Sequence, residues 1–219
     1  KSICDQITSA TKLIYLANPN NPTGNYLSRK EILKLINSIP KNVILVIDGA
    51  YAEYVIKKDF EKKFSLTDDF ENIILTRTFS KSYGLAGLRI GWSYSSKKIA
   101  NILKQVKGPF NTSIFSQEIA ISAVEDQNYI KNIVNKNIKI KNWFENELKK
   151  MKIKTLPSFA NFSFLHTTKE HAETLFNHLQ KDGIIVRQLN SYGLPNCLRI
   201  TIGKKDEMLS TINSLKKLI

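Results

Sequence analysis

Apolar residues recur in two rhythms along the chain, and the change of rhythm divides it. In the first half, short unbroken apolar runs alternate with an amphipathic stretch. Lys12 to Ala17, Val43 to Ile47 and Asn72 to Thr76 read as strands, and Ser28 to Ser38 as a helix opened by a Ser28 cap with Glu31 three residues on. Runs without polar alternation suit strands buried on both faces, as in a sheet covered by helices. This predicts an α/β domain. From Ser113 onward the apolar spacing becomes helical, over Ser116 to Val124 and Tyr129 to Lys150. Beyond Met151, strand-like runs at Asn161 to Leu165, Ile184 to Arg187 and Leu198 to Ile202 surround a helix at Lys169 to Lys181, and a last helix starts at Asp206. The second half therefore reads as a smaller α+β domain. Gly108-Pro109 is the expected boundary, since that pair readily interrupts a helix, giving domains of residues 1–108 and 109–219.

Composition narrows the class. With 219 residues, 42% hydrophobic and 24% charged, the chain is an ordinary folded one with enough length for a real core. No apolar run approaches the roughly 20 residues of a membrane span, and the first residues lack a signal-peptide pattern. No membrane partner is expected. Cys4 and Cys197 lack metal-ligand spacing and suit a reducing, cytoplasmic setting. The formal charge of +14 invites a nucleic-acid reading. The lysines, however, are scattered through amphipathic segments such as Lys131 to Lys154, with no nucleic-acid-binding motif beside them, and read as solvated surface. His171 and His178 more readily line a helix face than bind a metal, and His166 has no partner constellation.

Three polar segments follow apolar strands, where open α/β sheets gather their ligands. Asn18-Pro19-Asn20-Asn21-Pro22-Thr23-Gly24 is a rigid loop that can aim the Asn21 side chain, although a plain turn uses the same residues. Asp48, in Asp48-Gly49-Ala50-Tyr51, puts a carboxylate at a strand end; it either meets a positive group such as a pyridinium nitrogen, or caps a helix or joins an ion pair. In the stretch from Thr76 to Gly91, Lys81 lies close to the hydroxyls of Thr78 and Ser80 and precedes Arg89. Hydroxyls and an arginine fork suit a phosphate, and a lysine in a crowded, partly positive pocket can act as an amine nucleophile.

Taken in order, Asn-Pro-Thr-Gly, Asp-x-x-Tyr and Ser-Lys-x-x-Gly-x-x-Gly-x-Arg-x-Gly resemble the motifs of the fold-type I, class I/II aminotransferases that depend on pyridoxal 5′-phosphate (PLP). The resemblance covers essentially the whole chain. It implies the PLP-dependent transferase fold of the aspartate aminotransferase type, here a partial large domain with a mainly parallel sheet plus a C-terminal α+β domain. It also implies that Lys81 attaches the cofactor, Asp48 pairs with the ring nitrogen, Asn21 and Tyr51 bond the phenolic oxygen, and Thr78, Ser80 and Arg89 bind the phosphate. Ile184 to Arg187 and Tyr192 to Gly203 resemble the C-terminal part of histidinol-phosphate aminotransferases. That likeness implies a substrate-carboxylate role for Arg199 and a substrate-phosphate role for Arg187, with histidinol phosphate, glutamate and 2-oxoglutarate as substrates and a homodimer as the working form.

The family's N-terminal arm, its glycine-containing phosphate loop and the aromatic ring that stacks on PLP belong upstream of Lys1. An N-terminal part is therefore expected to be missing, leaving a sheet edge uncovered. Two other functions remain open at this stage: a decarboxylase of a phosphorylated amino acid, resembling threonine-phosphate decarboxylases, and a non-catalytic PLP-binding module.

Overall fold

The computed structural model describes residues 3–62 and 65–218. The chain divides into two compact units, one of Lys1–Pro19 with Tyr26–Ile130 and one of Asn20–Asn25 with Lys131–Ile219. The division falls inside a long helix. Gly108-Pro109 does separate two helices, but the helix that follows it stays with the first unit.

In the first unit, β1 (Leu13–Ala17), β2 (Ile44–Asp48), β3 (Ile73–Thr78) and β4 (Gly91–Ser95) form a sheet in that order. The first two pairings are parallel and the last is antiparallel. Helix α1 (Arg29–Ser38) carries the chain from β1 to β2 and starts on a reciprocal Ser28–Glu31 cap, so two backbone donors at its open end are satisfied. It buries Ile32 and Ile36 against Ile14, Leu45, Ile47, Ile73 and Leu75, joined by Leu66 of the short α2 (Ser65–Asp69). The opposite face of β2 and β3 is covered by Ile99 of α3 (Lys97–Val106), which meets Val46 and Ile74. Both central strands are thus buried on two faces, as their unbroken apolar runs predict. β1 differs. Its run is equally apolar, yet Leu13 and Tyr15 are exposed, because β1 is the edge strand of the described sheet and receives no cover on that face. β4 was not expected: Gly91-Trp92-Ser93-Tyr94-Ser95 has too few apolar residues to signal a strand, and pairing with β3 makes it one. Two further helices follow, α4 (Ile114–Glu125) and the 24-residue α5 (Gln127–Lys150).

The second unit holds β5 (Thr155–Leu156), β6 (Phe162–His166), β7 (Arg187–Leu189) and β8 (Leu194–Thr201) in the order β5-β6-β8-β7, with every pairing antiparallel. Phe144 and Leu148 of α5 pack with Leu175 and Leu179 of α6 (Lys169–Lys181) and with Ile212 and Leu215 of α7 (Lys205–Leu218), over Leu165, Leu198 and Ile200 of the sheet. This is the expected α+β arrangement. Of the strand expected at Ile184 to Arg187, only Arg187 lies in β7. Ile184 instead closes the end of α6, its N–H donating to the Leu179 carbonyl at 2.8 Å, and Ile185 is 90% exposed. None of the described helices is long and apolar enough to cross a membrane. His166, His171 and His178 hydrogen-bond to Asn196, Thr167 and the Ser214 carbonyl respectively.

Candidate active site

Parallel strands deliver their carboxyl ends to one edge, and three of the expected groups of the first unit arrive there. Asp48 is the last residue of β2 and is exposed; its Oδ1 accepts from the Ala50 N–H at 3.0 Å and from the Thr76 hydroxyl at 3.4 Å. The carboxylate is oriented by its own turn and by the neighbouring strand. Thr78 ends β3, and its hydroxyl oxygen accepts from the Ser80 N–H at 3.1 Å, leaving the hydroxyl proton to donate elsewhere. Lys81 follows in a turn closed by the Gly84 N–H on the Lys81 carbonyl. Its Nζ stands 5.5 Å from the centre of the Tyr51 ring, and Tyr51 is itself buried. The crowded surroundings expected for Lys81 are not found among the described residues: the side chain is exposed and has no carboxylate partner there. Arg89 is exposed in a left-handed backbone conformation (φ 49°), and its Nη1 donates to the Ala86 carbonyl at 2.8 Å. That half of its fork is engaged by its own loop.

Behind these groups lies a buried charge that the sequence reading passed over. Arg77, on β3, is 9% exposed and donates to the Thr76 carbonyl. Burial pushes its guanidinium below the ordinary value, against the pull of Glu53 and Asp48. Burial likewise pushes the Glu53 carboxyl up, and Arg77 draws it back. Gly49 makes room for this arginine, since a Cβ there would fall 1.9 Å from Arg77 Nη1. A positive side chain thus stands near the Asp48 carboxylate from within the protein.

The remaining expected groups lie in the second unit. Asn20 closes its loop by accepting the Gly24 N–H and donating its own N–H to the Asn25 carbonyl, both at 2.8 Å. Gly24 has φ +78°, and the Ser158 side chain packs so closely that a Cβ would lie 2.3 Å from its Oγ. Gly24→Ala therefore meets both left-handed strain and overpacking. A loss of about 1 to 3 kcal/mol in unfolding free energy is expected, measurable by denaturant titration. On this loop Asn21 is exposed, and its Oδ1 accepts a short hydrogen bond from Arg199 Nη1. Arg199 lies on β8 directly opposite Arg187 on β7, so the two side chains leave the sheet on the same face. Neither arginine has a carboxylate partner among the described residues. Arg199 Nε is buried and unbonded, while its guanidinium lies 5.1 Å from the centre of the Phe162 ring.

The family model described as aminotransferase class I and II matches residues 1–215. The chain belongs to this family. Among curated members, the histidinol-phosphate aminotransferase of Pelagibacter ubique is 42% identical over 217 residues, covering 98% of this chain and 60% of that protein. The one from Zymomonas mobilis is 41% identical, covering 97% and 59%. Among solved structures, the histidinol-phosphate aminotransferase of Sinorhizobium meliloti in complex with pyridoxal-5′-phosphate matches with a TM-score of 0.87 and 29% identity, over 94% of this chain and 58% of that one. The aminotransferase fold is therefore shown, and the chain spans about 60% of the length of the curated relatives it matches.

Within this family frame, Asp48, Tyr51, Thr78, Ser80, Lys81 and Arg89 belong to one unit and Asn21, Arg187 and Arg199 to the other. Residues of both sets are recognisable in the amino-acid sequence, which offers less for one further residue. That residue is Lys141, which is 7% exposed on α5. Its position was a usable signal: Lys141 is three residues before Phe144 and seven before Leu148, so it takes a place in the buried stripe of the helix.

Proposed function

We propose that the protein carrying this chain is a PLP-dependent transaminase, exchanging an amino group between histidinol phosphate and the glutamate and 2-oxoglutarate pair. The observation that carries the substrate assignment is the opposition of Arg187 and Arg199 across β7 and β8 with no carboxylate between them among the described residues. Two like charges placed opposite one another repel, and a bound dianion reverses the sign of that interaction. A phosphate monoester is such an anion, and a guanidinium fork matches either its oxygens or those of a carboxylate.

The groups of the first unit fit PLP. An exposed strand-end carboxylate held through one oxygen suits a protonated ring nitrogen, an exposed amine without an acidic partner suits covalent attachment, and the Thr78 and Ser80 hydroxyls suit a phosphate. When bound, the cofactor supplies an electron sink for the carbanion left at the substrate Cα. Asp48 would hold the proton on the ring nitrogen. Lys81 would hold the ring covalently and would move the proton at the reacting carbon as base and acid. Among the residues of the first unit, Tyr51 would bond the ring's phenolic oxygen, and Arg89 would add charge at the phosphate. Arg199 receives the carboxylate of glutamate, and Arg187 the phosphate of histidinol phosphate.

A cytoplasmic homodimer completes the proposal. Its support is an apolar surface around α4, where Phe110, Ile114 and Phe115 are each at least 75% exposed, together with the buried thiol of Cys197.

Half-reactions followed by the cofactor's absorbance test the substrate assignment. Arg187→Ala is expected to weaken histidinol phosphate by about 1.5 to 3 kcal/mol and glutamate much less, since one charge-assisted bond is removed from the phosphate alone. Arg199→Ala is expected to impair both half-reactions. Equal losses for the two substrates with Arg187→Ala would remove the phosphate pocket, and carbon dioxide released from a phosphorylated amino acid would make the protein a decarboxylase.

A further inference from the structure

We propose that Lys141 is a positioning residue for the Asn21–Arg199 pair, acting through the segment Ser158-Phe159-Ala160. The inference rests on the transaminase reading for what Asn21 and Arg199 bind; the hydrogen bonds that carry it lie wholly within the second unit.

Lys141 points from α5 into the unit's interior rather than to solvent. A buried ammonium is costly unless it is hydrogen-bonded and paired with a charge, and two acceptors for its three protons are in place. Nζ donates to the Ser158 carbonyl in a short bond and to the Ala160 carbonyl at 3.1 Å. Glu145, one helical turn on, adds a negative charge near Nζ and is itself held by the Ser163 hydroxyl at 2.8 Å. The amine therefore bridges the carbonyls of Ser158 and Ala160, the residues on either side of Phe159, and holds this irregular segment in one conformation.

Both members of the pair depend on that segment. The Phe159 N–H donates to the Gly24 carbonyl at 2.7 Å, and Ser158 packs on Gly24 more closely than any side chain there would allow. The segment thus presses on the loop that presents Asn21. It then runs into β6, whose first residue, Phe162, puts its ring against the Arg199 guanidinium. One buried amine consequently sets the backbone that braces the Asn21 loop from one side and Arg199 from the other. Ordinary helix packing at this position calls for an apolar residue, as at Phe144 and Leu148. A lysine there serves the two carbonyls.

Lys141→Met keeps the volume and removes the donors; Lys141→Arg restores them. In the PLP-loaded protein, Lys141→Met is expected to speed amide hydrogen exchange in residues 20–25 and 158–160 by about tenfold or more, with α6 and α7 unchanged. It is also expected to raise the KM for glutamate about tenfold with a smaller change in kcat, since Arg199 loses its aligned geometry. Lys141→Arg should return both measures towards wild type. Exchange unchanged in residues 20–25, or accelerated throughout the second unit with KM unaltered, would overturn the proposal in favour of a purely structural lysine. If Lys141→Met does not fold, Lys141→Leu, which likewise removes the donors, is read in the same way; failure of both to fold also overturns it. A wild-type protein without glutamate turnover would count against the transaminase reading, and the exchange pattern would still decide the role of Lys141.

Discussion

Lys81→Ala is expected to abolish transamination, leaving at most the noncovalent binding of PLP. The side chain stands exposed beyond β3, 5.5 Å from the Tyr51 ring and without a carboxylate partner among the described residues, so its amine is available for covalent attachment. On the role proposed for Lys81, alanine removes the attachment and the proton carrier together. General acid–base transfer alone is worth about 10² to 10⁴ in rate, and loss of covalent anchoring adds to it. Borohydride reduction of the loaded protein, followed by peptide mass mapping, should place the pyridoxyl group on the peptide containing Lys81. A pyridoxyl mass on any other lysine would displace Lys81 from this role. Folding should be little affected, because the side chain fills no part of the core.

Asp48→Asn separates electrostatics from shape. The amide oxygen of asparagine can still accept from the Ala50 N–H and the Thr76 hydroxyl, so the turn after β2 keeps its hydrogen bonds. Unfolding free energy is expected to change by less than about 1 kcal/mol, as for an exposed substitution that retains its local bonds. On the role proposed for Asp48, what is lost is the negative charge that would keep a proton on the ring nitrogen. A single-turnover rate lower by about 10² to 10³ is expected, the scale of removing one preorganised electrostatic group at a reacting centre. A single-turnover rate close to wild type would show that Asp48 does not hold that proton. Arg77→Met is expected to give a clear loss of stability, because the buried Glu53 is left without the Arg77 charge.

The relation between α4 and α5 shows where periodicity stops being informative. Both were legible as helices, since helical spacing needs only neighbours three and four residues away. Which side of each is covered was not legible. α4 is apolar on much of its circumference and buries only Ser116 and Ala120 among the described residues. α5 carries a lysine in its buried stripe, and only the carbonyls of Ser158 and Ala160 explain it.

The elements set by short-range rules are legible in the amino-acid sequence itself: α1 from its Ser28–Glu31 cap, α6 over Lys169–Lys181 from its spacing, and β2 and β3 from their apolar runs. The chemistry at the ends of β2 and β3 is legible for the same reason, since Asp48, Thr78 and Lys81 are carried by the strands they end or follow. Other features depend on residues far apart in the chain. Exposure of β1, pairing of β4, the register that sets Arg187 against Arg199, and the bond joining Asn21 to Arg199 across 178 positions arise only when distant segments meet. Local propensity and capping act within a turn or a strand, whereas register and long-range hydrogen bonding are decided by which surfaces are buried together, and that is a property of the folded chain alone.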